Sequence, residues 1–214
     1  MELLSIALLG LAAYLIGSVS PSYTLVHYLK GIDIRDVGSH NAGTLNSFHQ
    51  LGAWWAILVF IVDAGKAAVA TLLPTWVGLP EWSVLVTAPL VIVGHNWTVL
   101  LKFRGGKGAA CLIGICLALA PASTMIAIVP GVIVLFLSKN AIAGLVAGFA
   151  VANVLNLAAW LFNVEWLVLA PGWLQFGLCL FLTLFVAVVY GISIRVQLLE
   201  AFRQKSVRRA FYGS

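Results

Sequence analysis

Charge is what this sequence has least of. Its 214 residues include 12 Lys and Arg and 7 Asp and Glu, so 9 % of the chain is charged, where about 25 % is usual for a soluble domain. That shortage, with 62 % hydrophobic residues and a mean hydropathy of +1.06, excludes a water-soluble globular fold of ordinary composition. Cysteine is also sparse. Cys111, Cys116 and Cys179 lie in apolar runs without metal-ligand spacing, which reads as small packing residues and not as a disulfide or metal framework. No ten-residue segments alternate in polarity, which excludes an outer-membrane barrel. The N-terminal run has no basic n-region, Glu2 being its only early charge, and it is too long for a cleavable signal. No internal repeat or matched pair of broken helices appears, which weighs against a transporter.

Long apolar runs are plentiful. A helix needs about 20 residues to cross a hydrocarbon core of about 30 Å, and seven spans are predicted, at about 4–28, 52–77, 82–101, 107–120, 121–138, 141–164 and 168–194. The fold expected is all-α, a polytopic membrane protein forming a single domain over 1–214, with a basic tail over 195–214. Lys30 and Arg35 fall in the first connection, Lys102, Arg104 and Lys107 in the third, Lys139 in the fifth, and Arg195, Arg203, Lys205, Arg208 and Arg209 after the last span. The opposite side receives Glu2, Glu81 and Glu165 and no base. Basic residues collect on the cytoplasmic side, so the N-terminus is expected outside and the C-terminus in the cytoplasm.

Two cytoplasmic segments carry unusual chemistry. "GIDIRDVGSHNAGTLNSFHQLG", residues 31–52, sets Arg35, Ser39, His40, Asn41, Thr44, Asn46 and His49 among glycines. Such residues also build ordinary turns and caps, but their density on one side of a membrane suggests a polar ligand site. "KFRGGKGAA", residues 102–110, places three cations beside Gly105, Gly106 and Gly108. A glycine-rich turn that opens a helix aims N–H groups and the positive helix end at an anion, and Lys107 adds a point charge there. The plain alternative is a positive-inside anchor loop. A Walker A loop would need Gly and Ser or Thr where Leu101 and Gly108 stand, so nucleotide hydrolysis is not expected. Asp63 and Lys66 lie at i and i+3 within the second span. They form an intramembrane pair that is either functional or mutually neutralising. Asn153 and Asn156 in the sixth span read as inter-helix hydrogen bonds, and Gly144 and Gly148 as close helix packing.

"AYLIGSVSPSY", "DIRDVGSHNAGTLNS", "DAGK" and "VGHNWTVLLKFRGGKGAA" together resemble the bacterial acyl-phosphate:glycerol-3-phosphate acyltransferase family. The last stretch matches the family's Gly-His…Phe-Lys-Gly-Gly-Lys-Gly at every position but Arg104. The resemblance implies a multi-pass enzyme of the bacterial inner membrane with its site near the cytoplasmic face. It implies no cofactor, metal or nucleic acid. Its partners would be acyl phosphate, glycerol 3-phosphate or a related polyol, and membrane lipids. Ser39, Asn41, His95 and Lys107 would be catalytic, with Arg35, Gly38, Thr44, Asn46, Arg104, Gly105, Gly106 and Gly108 binding substrate. The residues agree with a good leaving group, since none of His27, His40, His49 and His95 has Asp five positions on, the general-base pair common in thioester-dependent acyltransferases. An acyl phosphate mainly requires orientation and charge stabilisation.

The chain also departs from that pattern. His40 stands for a Gly, Leu45 splits the Thr-Asn pair, and His49 replaces an Arg. The His-Arg-x-Asn run ending the last span is replaced by Ile192, Ser193 and Arg195. The missing run and the Arg replaced by His49 are positions the family associates with glycerol 3-phosphate. A paralogue with another acceptor or no catalysis, and a small-solute transporter, are the alternatives, and phosphate release from acyl phosphate separates the enzyme from a non-catalytic paralogue and from a transporter.

Overall fold

Residues 1–168 and 172–203 are described by the structure, a computed structural model. Among them there is no strand. The helices are α1 (Glu2–Ser18), α2 (Pro21–Lys30), α3 (Thr44–Leu51), α4 (Ala53–Trp76), α5 (Val84–Asn96), α6 (Ala109–Leu119), α7 (Pro121–Ser138), α8 (Ala141–Phe162) and α9 (Trp173–Arg203), with short 3-10 turns at 34–36, 81–83, 99–101 and 165–167. Lys205, Arg208 and Arg209 of the basic tail lie outside the described residues.

Among the described residues, six stretches are long and apolar enough to cross a membrane: Glu2–Lys30, Ala53–Trp76, Glu81–Leu101, Pro121–Ser138, Ala141–Phe162 and Trp173–Arg195. The remaining expected span is the shorter helix Ala109–Leu119, about 16 Å long at 1.5 Å per residue, half a hydrocarbon core. The protein is a multi-pass membrane protein. Its eight tryptophans all stand at or beside helix ends, the position of an interfacial aromatic belt.

The expected first span is divided. Val19 is extended, and Ser20 begins α2 by accepting the Tyr23 N–H at 3.3 Å. Pro21 explains the break, because it lacks the N–H that would continue the ladder and fits the first position of a new helix. α5 stays helical through Pro89 but gives way at Trp97, before the expected end of its span.

Small residues bring the helix backbones together. A Cβ on Gly17 would strike the Val91 carbonyl, one on Gly94 the Tyr14 carbonyl, and one on Gly114 the Ala64 backbone, so α1–α5 and α4–α6 meet nearly main chain to main chain. Gly131 and Gly144 do the same between α7 and α8. As the sequence suggests, the two asparagines join helices. Ser123 donates to Asn156 Oδ1 at 2.8 Å, and Asn153 donates to Thr183 Oγ1 at 3.0 Å. The principal core runs through α1, α4, α5, α6 and α9, and includes Ala67, Val91, Ile92, Leu112 and Leu182.

Candidate active site

The glycine turn folds back on the end of α5. Thr98 Oγ1 donates to the Ser18 carbonyl at 2.7 Å and Tyr14 Oη to the Trp97 carbonyl at 2.8 Å, which fixes where the chain leaves the helix. Lys102 and Phe103 then take left-handed conformations, with φ of 55° and 60°. Gly105 N–H donates to the Asn96 carbonyl at 3.0 Å, and Gly106 N–H to the His95 carbonyl at 2.9 Å. This corrects the expectation that these two amides cradle a phosphate, since both are engaged in the turn. Their lack of side chains has another cause. A Cβ on Gly105 would meet the His95 carbonyl, and one on Gly106 would meet His95 Nε2.

An anion-binding capacity remains one step further on. Gly108, with φ 84°, caps the N-terminus of α6. The first-turn amides of Ala109, Ala110 and Cys111 have no intrahelical acceptor by helix geometry, and the helix end is positive. Lys107 lies beside them with Nζ 5.2 Å from the centre of the Tyr190 ring, and burial draws its pKa below the ordinary lysine value. The side chain of Asn96 faces Gly108, and is buried with Nδ2 and Oδ1 both unpartnered among the described residues. Sequence reasoning did not single out Asn96 or Tyr190. An amide and an aromatic ring carry no charge pattern, and only their burial beside the turn marks them.

Below the turn lies a buried charged cluster. Lys66 Nζ stands 2.7 Å from Asp63 Oδ1, as the i, i+3 spacing suggests. It also donates to the Val19 carbonyl at 2.5 Å and lies 3.1 Å from His95 Nδ1. The helix break thus exposes a carbonyl that the lysine satisfies. His95 Nδ1 is 3.3 Å from Asp63 Oδ1. Cys111 joins from α6, with potential ligand atoms of Asp63, His95 and Cys111 within 4.8 Å of one another. These three could in principle hold a metal ion, but the Lys66 ammonium already supplies the cation beside the carboxylate. Cys111 is a buried packing residue of the core, as its spacing implied, and also faces this cluster.

Loop 1 is held mainly by its own polar groups. Arg35 makes a forked pair with Asp33 at 2.6–3.1 Å, donates to the Leu101 carbonyl at 2.6 Å, and lies over the Tyr23 ring. The Arg35 hydrogen bond holds the Asp33 carboxyl below its ordinary pKa and raises that of Arg35. The expected substrate-binding Arg35 is thus the tie between loop 1 and the loop before α6. Asn46 is likewise tied into the loop. Its Nδ2 reaches the carbonyls of Ile34, Val37 and Asn41 at 2.9–3.1 Å, and its Oδ1 accepts from Ser39 N at 3.4 Å. Gly38, at φ 62°, leaves room for Asn46 Oδ1. Ser39 and Asn41 are half-buried, Thr44 opens α3 with a buried, unpartnered hydroxyl, and Arg104 is exposed. His40, at φ 53°, binds the Arg35 carbonyl through Nδ1 at 3.0 Å, and His49 is exposed on α3 against Phe48.

Residues 7–199 match the family model described as glycerol-3-phosphate acyltransferase. Among curated proteins, the chain is 41 % identical over 117 residues to glycerol-3-phosphate acyltransferase 4 of Dehalococcoides mccartyi, covering 55 % of this chain and 50 % of that one. This match spans only half of that relative's length. The chain is 37 % identical over 153 residues to glycerol-3-phosphate acyltransferase of Thermoanaerobacter pseudethanolicus, covering 72 % and 77 %. With the Thermus thermophilus protein of the same name it shares 40 % identity, covering 69 % and 74 %. In fold it is similar to the crystal structure of PlsY, an integral membrane glycerol 3-phosphate acyltransferase, in its glycerol 3-phosphate form. The TM-score is 0.76 at 23 % identity, covering 92 % and 93 %. The lysophosphatidic acid form of PlsY gives a TM-score of 0.69.

Proposed function

The chain belongs to the glycerol-3-phosphate acyltransferase family, and from this premise we propose that it moves a fatty acyl group from acyl phosphate to the 1-hydroxyl of glycerol 3-phosphate. The observation that carries this reading is the positive N-terminus of α6, with Gly108 as cap and the half-buried Lys107 beside it. It supplies amides and one ammonium for a phosphate. The hydroxyl oxygen attacks the acyl carbon, the bond from that carbon to the phosphate oxygen breaks, and inorganic phosphate leaves with the electron pair and finally the hydroxyl proton. Lysophosphatidic acid is the lipid product. Because the mixed anhydride is already activated, the protein's contribution is to align two phosphorylated substrates and stabilise developing charge.

Lys107, Gly108 and the first turn of α6 hold the donor phosphate in this reading, with Asn96 within reach of it. Ser39, Asn41 and Thr44 form the acceptor side with His40 and His49, and Arg35 and Asn46 hold that loop in shape. Lys and Arg distribution supports an N-terminus outside a bacterial plasma membrane, α6 as a short seventh crossing, one domain over 1–214, and a site at the cytoplasmic face. The altered loop 1 favours a second reading, in which another polyol serves as acceptor. Purified protein is assayed for phosphate release from acyl phosphate with glycerol 3-phosphate, glycerol and other polyol phosphates in turn. Lysophosphatidic acid formation is expected. No acceptor-dependent release with any of them overturns the enzyme, and release with a different acceptor alone overturns the substrate.

A further inference from the structure

We infer that Lys66 holds His95 in the tautomer protonated on Nε2, so that His95 meets substrate as a hydrogen-bond donor and not as a general base. The inference rests on the acyltransferase reading for what the donor acts upon, but its structural part does not.

The ammonium of Lys66 has only hydrogens to offer. It hydrogen-bonds the Val19 carbonyl and His95 Nδ1, and pairs with Asp63 Oδ1. A proton on Nδ1 would point at the ammonium 3.1 Å away, so Nδ1 presents its lone pair. The neighbouring contact from Nδ1 to Asp63 Oδ1, at 3.3 Å, is the longer of the two. Charge balance gives the same answer. Asp63 and Lys66 cancel, with side chains 1 % and 7 % exposed, and His95 is 4 % exposed. A neutral imidazole leaves the cluster neutral, whereas an imidazolium would leave a buried excess of one positive charge, which is costly in an apolar interior. The other titratable group facing the ring is the Cys111 thiol.

The proton so placed has an outlet. Nε2 faces Gly106, where any Cβ would cover it. The bare α-carbon leaves room for this edge of the ring to pack against the turn that carries Lys107. A neutral Nε2–H there can hydrogen-bond an acyl or phosphoryl oxygen as negative charge gathers on it. Lys66 is accordingly a positioning residue, which acts through the ring.

The test has a spectroscopic arm independent of activity. Nitrogen-15 NMR of histidine-labelled protein in detergent or nanodiscs is expected to show His95 with a pyrrole-type Nε2 and a pyridine-type Nδ1 at pH 7. The opposite tautomer, or an imidazolium, overturns the proposal whatever the enzyme does. In the kinetic arm, His95→Ala is expected to lower kcat about a hundredfold, the usual size for one lost donor. His95→Gln, which carries an amide donor near the Nε2 position, is expected to recover at least tenfold of that loss. The wild-type and His95→Gln profiles of kcat should run parallel between about pH 6 and 8, since neutral and charged imidazole both donate from Nε2. A wild-type acid limb that is absent in His95→Gln identifies a general base and overturns the inference. Lys66→Met is expected to change the Nδ1 signal. Because that variant leaves Asp63 buried without its cation and is at risk of misfolding, Asp63→Asn combined with Lys66→Met is measured beside it. An unchanged Nδ1 signal in the folded double variant means that Lys66 does not set the tautomer.

Discussion

Lys107 Nζ lies 5.2 Å from the centre of the Tyr190 ring, joining the turn before α6 to the middle of α9. An ammonium over an aromatic face gains about 0.5–2 kcal/mol, and here it limits where the charge can sit. Tyr190→Phe preserves the ring and should keep KM for acyl phosphate within twofold of wild type. Tyr190→Leu should raise that KM by about 2- to 30-fold, the equivalent of the same energy. Equal KM values in the two variants would show that the ring is only packing.

Lys107 itself is expected to be required for donor use. Lys107→Ala removes a charge-assisted contact worth about 1.5–3 kcal/mol, so kcat/KM for acyl phosphate should fall by roughly 10- to 150-fold. Lys107→Arg should remain impaired, because a planar fork does not replace a compact ammonium.

The same residue predicts a pH limb. Burial disfavours the ammonium, so Lys107 loses its proton below the ordinary lysine value of 10.5. Donor affinity that depends on this charge is full below the lowered value and declines as pH rises through it. The measurement is KM for acyl phosphate from pH 7 to 10.5, with substrate hydrolysis subtracted. A flat KM over this range would separate Lys107 from the donor phosphate.

Gly106→Val should abolish turnover while leaving folded protein recoverable in detergent. The physical cause is the His95 ring, because a Cβ at 106 falls on Nε2. The variant should therefore also shift the His95 ring signals in NMR. Full activity in Gly106→Val would mean that the ring edge is not used.

Arg35 offers a contrast between structure and binding. Its guanidinium is engaged by Asp33 and the Leu101 carbonyl. Arg35→Gln and Asp33→Asn should therefore lower thermal stability by similar amounts, on the order of 1 kcal/mol for a partly exposed pair. They should also change acceptor KM in parallel. If Arg35→Gln alone raises acceptor KM and Asp33→Asn does not, Arg35 contacts substrate directly.

Much of this protein follows from local properties of the chain. Apolar length and scarcity of charge determine helices that cross a membrane. Pro21 and Pro121 mark helix starts, and the i, i+3 spacing of Asp63 and Lys66 determines their pairing. Hydropathy and spacing act over a few residues, so these features need no tertiary information. The site depended on contacts between segments far apart in the chain. Lys66 reaches Val19 across 47 positions and His95 across 29, and no periodicity relates those numbers. Gly105 and Gly106 have the composition of a phosphate cradle, yet their amides close onto the end of α5. Which acceptor an N–H finds is decided by the backbone that packs against it. That packing depends on Gly17 and Gly94 drawing α1 and α5 together and on Gly114 drawing α6 to α4, which places His95 and Asp63 around one ammonium with Cys111 beside them.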